Sequence, residues 1–190
     1  MLNIAFKEWK VVCAALASGQ QSIILRKGGI AETNGIFEPE HRVFWLYPTQ
    51  LHQQRDAIKP MFASLLTEDA AQAVPCPEIA LQLTAEVVDI HYLTREDALP
   101  SLDVFHIWSR EAVLKKFHYR TPGLYVMLVR IRALSQPVLV PFEPRYDGCK
   151  SWVELTQALP LNSLQPVLSD REFAERIENY YRAIDPCVRA

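Results

Sequence analysis

No stretch of this 190-residue chain comes near the roughly 18 consecutive apolar residues that a membrane-crossing helix needs, so no such span is expected. The first ten residues, MLNIAFKEWK, hold Glu8 and two lysines and lack a long apolar core. A secretory leader is therefore not expected, and a soluble, cytoplasmic protein is. Cysteine is sparse: Cys13, Cys76, Cys149 and Cys187 stand far apart with no C-x-x-C pair, which excludes the usual zinc spacings and a disulfide framework and suits reduced thiols. Internal repeats and low-complexity tracts are missing too, which removes solenoids and arrays. Neither H-E-x-x-H nor a complete Walker A loop occurs: the letters GCKS at Gly148 to Ser151 lack the first glycine of that motif, and Cys149 intervenes, so P-loop nucleotide hydrolysis is rejected.

What is present is an ordinary globular composition, 49% hydrophobic and 22% charged. At this length one domain can bury roughly 70% of its unfolded surface without staples. The 13 prolines enforce many breaks between short elements. Net charge is −2, but it is unevenly spread: residues 61 to 103 hold eight acidic residues against one basic, and residues 110 to 152 hold eight basic against three acidic. One sector can therefore present a positive surface, or the two can neutralise each other within the fold.

Along the chain, Asn3 reads as an N-cap, and Phe6, Trp9, Cys13 and Leu16 form a helical stripe ending at Gly19. Ser22 to Lys27 reads as a short central strand, apolar on both faces. Val43 to Tyr47 reads as a second strand, stopped by Pro48 and able to pair with the first. Thr49 starts two short helices meeting near Lys59, because Pro60 breaks a longer one. Beyond a connector at Glu68 to Pro77, the alternation from Ile79 to Tyr92 changes phase and predicts a long strand with a bulge or bend near Glu86. Ser109 caps a third helix through Phe117, Leu124 to Ile131 is the strongest strand, and Val138 to Val140 is a separate short one between prolines. Two S-x-x-E capping boxes follow, Ser151 with Glu154 and Ser169 with Glu172; each predicts a helix, the last with Phe173, Ile177, Tyr180 or Tyr181, and Ile184 on its apolar face. The expectation is an α+β fold: a mixed, largely antiparallel sheet, or a small barrel in the C-terminal part, with flanking helices. It is read as one compact domain over 1–190, with an internal boundary near 68–77 between a helix-strand-strand-helix part and a strand-rich part ending in a helix.

Two stretches carry candidate chemistry. At Arg145-Tyr146-Asp147-Gly148-Cys149-Lys150-Ser151, a capped helix start would converge free N–H groups on an anion, with Gly148 allowing close approach and Arg145 and Lys150 completing a phosphate or carboxylate site; the alternative is a loop with a good cap. Cys149 beside Lys150 is a further thiol candidate. In Ser22 to Gln54, Arg26 and Lys27 can clamp a phosphate backbone, with Trp45 or Tyr47 as a stacking surface and His52 nearby. Equally, Arg26 can pair with Glu40 and the following glycines can serve the turn. Glu32, Glu40, His41 and His52 form a weaker set for a divalent metal or for acid and base. No other cofactor is expected. His106, Trp108 and His118 surround the third helix as core or rim. The sharpest expectation is that the two stretches meet.

The blocks AFKEW (Ala5 to Trp9), ILRKGGIAE (Ile24 to Glu32), FWLYPT with the downstream HQQ, and PRYDGCKSWVEL (Pro144 to Leu155) together resemble the bacterial family numbered 1802 among the domains of unknown function. The resemblance runs from about residue 4 to 158. It brings no established activity and no catalytic residue. Domain neighbourhoods of some members imply a link with restriction and modification systems, hence a nucleic-acid context. The third helix followed by a long strand and PVLVP is also similar to small barrels of the PUA and ASCH type, which bind RNA or modified bases. Three functions follow as expectations. The first is a binding module for phosphate-bearing ligands, foremost nucleic acid. The second is a metal-dependent hydrolase or nuclease using Glu32, Glu40, His41 and His52. The third is an interaction subunit, with a protein partner or a second copy of itself; no membrane partner is expected.

Overall fold

A computed structural model describes residues 1–28, 32–33, 36–37, 41–50, 54–66, 77–148 and 150–188. The chain starts with strand β1 (Leu2–Trp9), which passes without a break into helix α1 (Lys10–Ala17). Strand β2 (Ile23–Arg26), a two-residue pair β3 (Glu32–Thr33) and β4 (Ile36–Phe37), and strand β5 (Val43–Thr49) follow. Two short 3-10 turns, Arg55–Ala57 and Pro60–Leu65, lead to the long strand β6 (Glu78–Leu93). A 3-10 segment (Glu96–Phe105), helix α2 (Arg110–His118), strand β7 (Leu124–Pro141), strand β8 (Trp152–Leu159), the short β9 (Gln165–Pro166) and helix α3 (Asp170–Val188) complete it. Among the described residues no helix is long and apolar enough to cross a membrane.

The result is α+β, with a mixed and largely antiparallel sheet. Its path is β2-β7-β6-β5-β1-β8, with β9 attached to β7; β1 and β5 run parallel and the other pairs antiparallel. The sheet is continuous across the connector at 68–77, of which residues 67–76 lie outside the described residues: β5 from the first part pairs with β6 from the second. Both sheet faces are covered, which explains the unbroken apolar run Phe44-Trp45-Leu46-Tyr47. Phe44 and Leu46 join a core with Phe6, Ile24, Leu128, α1 and α3, whereas Trp45 and Tyr47 join a second core with Ala5, Leu81, Tyr146, Val153 and Leu155. Each such fully buried side chain stabilises the fold by about 1.5–3 kcal/mol.

Several elements differ from the sequence expectation. The helix expected from Asn3 begins only at Lys10; Leu2 to Trp9 is the strand wedged between β5 and β8. Phe6 and Leu16 share a core, but from two elements, so their helical spacing is coincidental. β2 is terminal in the sheet rather than central and pairs with β7 instead of β5; its run is apolar on both faces because Ile23, Ile24 and Leu25 are all buried in the larger core. Pro48 does not stop β5. Val138 to Val140 is no separate strand but the end of β7. The register jumps from Leu83↔Ala133 to Leu81↔Val138, so Pro137 sits in a wide bulge where no ladder donor is needed. The bulge or bend expected near Glu86 is a register shift between Val87 and Asp89. The largest departure is at Ser151: no helix starts there, and Trp152 to Leu159 is the edge strand β8.

Candidate functional site

The two terminal strands of the sheet, β2 and β8, come together through side chains. Arg26, the last residue of β2, donates from Nη2 to Ser151 Oγ immediately before β8. Its guanidinium also lies 4.6 Å from the Phe6 ring centroid, donates from Nη1 to the Lys7 carbonyl at 3.5 Å and stands 4.0 Å from Glu8 Oε2. Glu8 is only 6% exposed, and its Oε1 accepts the Trp9 amide at 2.8 Å. A carboxylate so enclosed needs opposing cations, and Arg26 supplies the nearer one.

Lys116 supplies the second. It rises from α2 with Nζ 4.3 Å from the Trp108 centroid and 6.0 Å from that of Trp9. Burial lowers its pKa, with Glu8 opposing that shift and Arg26 reinforcing it. Lys7 faces the other side of β1, donating to the Gly148 carbonyl at 3.0 Å and lying 5.8 Å from the Tyr47 ring. Aromatic rings pack beside these cations: half-buried Trp152 lies 4.7 Å from Phe6 and 5.0 Å from Phe44, both fully buried, and 5.2 Å from His41. Across the neighbouring strands Arg26 is in register with Tyr125, and Tyr125 with Tyr92, so the three side chains form a row on one face. The Tyr92 and Tyr125 rings are 4.5 Å apart, and Tyr92 is exposed. Chemically, this is a cluster of two cations and several aromatic rings around one buried carboxylate.

The residues singled out from sequence fall into distinct groups. Arg26 and Ser151 meet, as just described. Lys27 is adjacent but spends its ammonium protons on the carbonyls of Phe117, Thr121 and Gly123, tying β2 to the end of α2. Trp45 is fully buried, with Nε1 donating to the Leu2 carbonyl at 3.2 Å, so it offers no face to a ligand. Tyr47 is likewise core; burial first, then Asp147 and Tyr146, pushes its pKa up to about 12. Arg145 is turned to Glu143 at 2.8 Å and over the Tyr146 ring. Gly148 adopts φ 84°, and its amide donates to the Asp147 carboxylate at 2.8 Å rather than facing an anion. Lys150 is exposed and has no ion-pair or hydrogen-bond partner among the described residues. Because no helix starts at Ser151, the dipole argument for this loop falls away.

His41 packs on Trp152, whereas Glu40, His52 and Cys149 lie outside the described residues, as does the side chain of Glu32. Among the described residues no group of three or more His, Cys, Asp or Glu side chains is arranged to hold a metal. His106 and Trp108 are core, and His118 is exposed against Glu96 at 2.7 Å. Sequence reasoning missed Phe6, Lys7, Glu8, Lys116, Trp152, Tyr92 and Tyr125. The available signal was the alternation Ile4, Phe6, Glu8, which places a carboxylate on the inward face of a strand.

Three solved structures resemble the chain in shape. The crystal structure of ASCH from Zymomonas mobilis is 16% identical, covering 92% of this chain and 93% of its own, with a TM-score of 0.45. Two point variants of that protein match at 14% and 15% identity, over 92% of this chain and 94% and 96% of theirs, with TM-scores of 0.42 and 0.43. Among proteins of curated function none matches the sequence. The sequence profile of the domain of unknown function DUF1802 matches residues 5–179, nearly the whole length, and the chain belongs to that family.

Proposed function

We propose that the surface around Arg26 and Ser151 binds a phosphate-bearing ligand, foremost nucleic acid. The observation that carries this reading is the convergence of Arg26 and Ser151 from opposite ends of the sheet beside the Phe6, Trp152 and Tyr125 rings. Arg26 and Lys116 suit phosphate oxygens, and exposed Lys150 extends the positive rim. Half-buried Trp152 and Tyr125 and exposed Tyr92 suit the faces of bases, which stack on aromatic side chains with little regard to sequence, while Phe6 is buried and only backs Arg26. Glu8 keeps Arg26 in place without neutralising the whole cluster, because two cations face one carboxylate.

The test is fluorescence anisotropy with mixed-sequence RNA and DNA oligonucleotides over a range of salt. Three phosphate contacts, by Arg26, Lys116 and Lys150, predict a log–log slope of about −2 for a single strand. Binding that is absent at micromolar protein, or indifferent to salt, contradicts the reading. Arg26→Gln is expected to weaken binding about tenfold or more, equivalent to ~1.4 kcal/mol.

A further inference from the structure

A concavity lies away from the Arg26 cluster, between the 3-10 segment Glu96–Phe105 and α2. It measures about 350 Å³, within the range of small-molecule sites. Leu99, Pro100, Val113 and Leu114 form its apolar walls, and Leu99 and Val113 are buried. The chain on either side of the lining residue His106 is held in place by hydrogen bonds: Ser22 N–H donates to the Phe105 carbonyl at 3.0 Å, Lys59 N–H to the Ile107 carbonyl at 2.9 Å, and Ile107 N–H to the Gln21 side-chain Oε1 at 3.2 Å. The cleft is thus preformed.

Its polar lining is four residues, of which the two carboxylates are paired. Glu96 faces His118 at 2.7 Å, and Asp103 faces Lys59 at 3.1 Å. His106 is 3% exposed, and burial first, then Lys59, lowers its pKa to about 4, so it borders the cleft as a neutral ring. Its Nδ1 is enclosed, without a partner among the described residues. Arg110 differs: it is exposed and makes no ion pair or hydrogen bond with a described residue. We propose that this cleft binds a small molecule with an apolar body and a single carboxylate, the body lying on Leu99, Pro100, Val113 and Leu114 and the carboxylate pairing with Arg110. A planar guanidinium at the rim of an apolar cleft favours a carboxylate through a two-pronged contact. The site shares no residue with the cluster around Arg26 and stands or falls independently of it.

Titrating the full chain with benzoate, benzyl alcohol and benzylamine, followed by amide nuclear magnetic resonance shifts, tests the proposal. Benzoate is expected to move the Val113 and Leu114 amides and to bind about tenfold more tightly than benzyl alcohol. Arg110→Gln, an exposed substitution that leaves the core intact, is expected to erase that advantage while benzyl alcohol binds as before. Leu114→Trp, which fills the cleft, is expected to remove both. The proposal is overturned if no probe moves these amides, if benzylamine binds as tightly as benzoate, or if the advantage of benzoate survives Arg110→Gln.

Discussion

Ser151-x-x-Glu154 and Ser169-x-x-Glu172 carry the same four-residue signature, yet only the second begins a helix. At Ser169 the box is complete: the Glu172 amide donates to Ser169 Oγ at 3.3 Å, and Glu172 Oε2 accepts the Ser169 amide at 2.8 Å and its hydroxyl at 2.6 Å. At Ser151 the same atoms are engaged elsewhere, the hydroxyl by Arg26 and Glu154 by Asn3 at 3.1 Å. The difference lies downstream. Phe173, Ile177, Tyr180 and Ile184 recur at helical spacing, and Phe173, Tyr180 and Ile184 are buried. Val153 and Leu155 recur at spacing two, and both are buried against β1's second core. A capping box is worth about 1 kcal/mol, less than the burial of two or three core side chains, so periodicity decides and the box follows.

The largest test of that ordering is Tyr180→Ala. Tyr180 is fully buried, its hydroxyl meets His91 Nδ1 at 3.1 Å, and its ring packs on Phe105 at 5.9 Å. Denaturant titration is expected to show a loss of about 3–5 kcal/mol, in the range for removal of a buried aromatic ring. Ser169→Ala should cost only about 1 kcal/mol by the same measurement, with α3 still formed. A loss as large as that of Tyr180→Ala would mean that the cap, not the apolar stripe, holds the helix.

A pH titration gives a smaller, local effect. The Ser169 hydroxyl and then its amide hold the Glu172 carboxyl below its ordinary value of 4.5. A depressed acid adds stability above its unfolded pKa and loses it as pH falls through the folded one. Hydrogen exchange at the first turn of α3 is therefore expected to speed up below that ordinary value relative to the middle of the helix. Uniform exchange along α3 across this range would argue against the box. Smallest of all is Glu154→Gln: an exposed side chain bonded to Asn3 should change stability by less than about 0.5 kcal/mol, with the β8 amides equally protected.

The same contrast explains which parts of the molecule were legible in the sequence. α3, α2 with its Ser109 cap, and the bulged β6 depend on local pattern, and each is where the pattern places it. β1 misled because Phe6 and Trp9 fall by chance at helical spacing from Cys13 and Leu16, while its strand partners lie some forty and a hundred and fifty positions away at Trp45 and Val153. The candidate site is legible only in part for the same reason. Arg26 and Ser151 stood out individually, but their contact joins residues 125 positions apart. Glu8 and Lys116 became visible only once α2 lay beside the end of β1. Trp45 and Tyr47 looked like stacking surfaces because an aromatic run beside charges resembles one; the second core claims them instead.

The central claim is that Ser151 serves a ligand-facing cluster rather than a helix. Oligonucleotide binding by Ser151→Ala and Ser169→Ala, each followed by anisotropy at one low salt concentration alongside the unsubstituted chain, tests it most directly. The account predicts that Ser151→Ala weakens binding several-fold while Ser169→Ala leaves it unchanged and alters only the stability of α3. Equal binding by all three proteins, or a loss confined to Ser169→Ala, would contradict it.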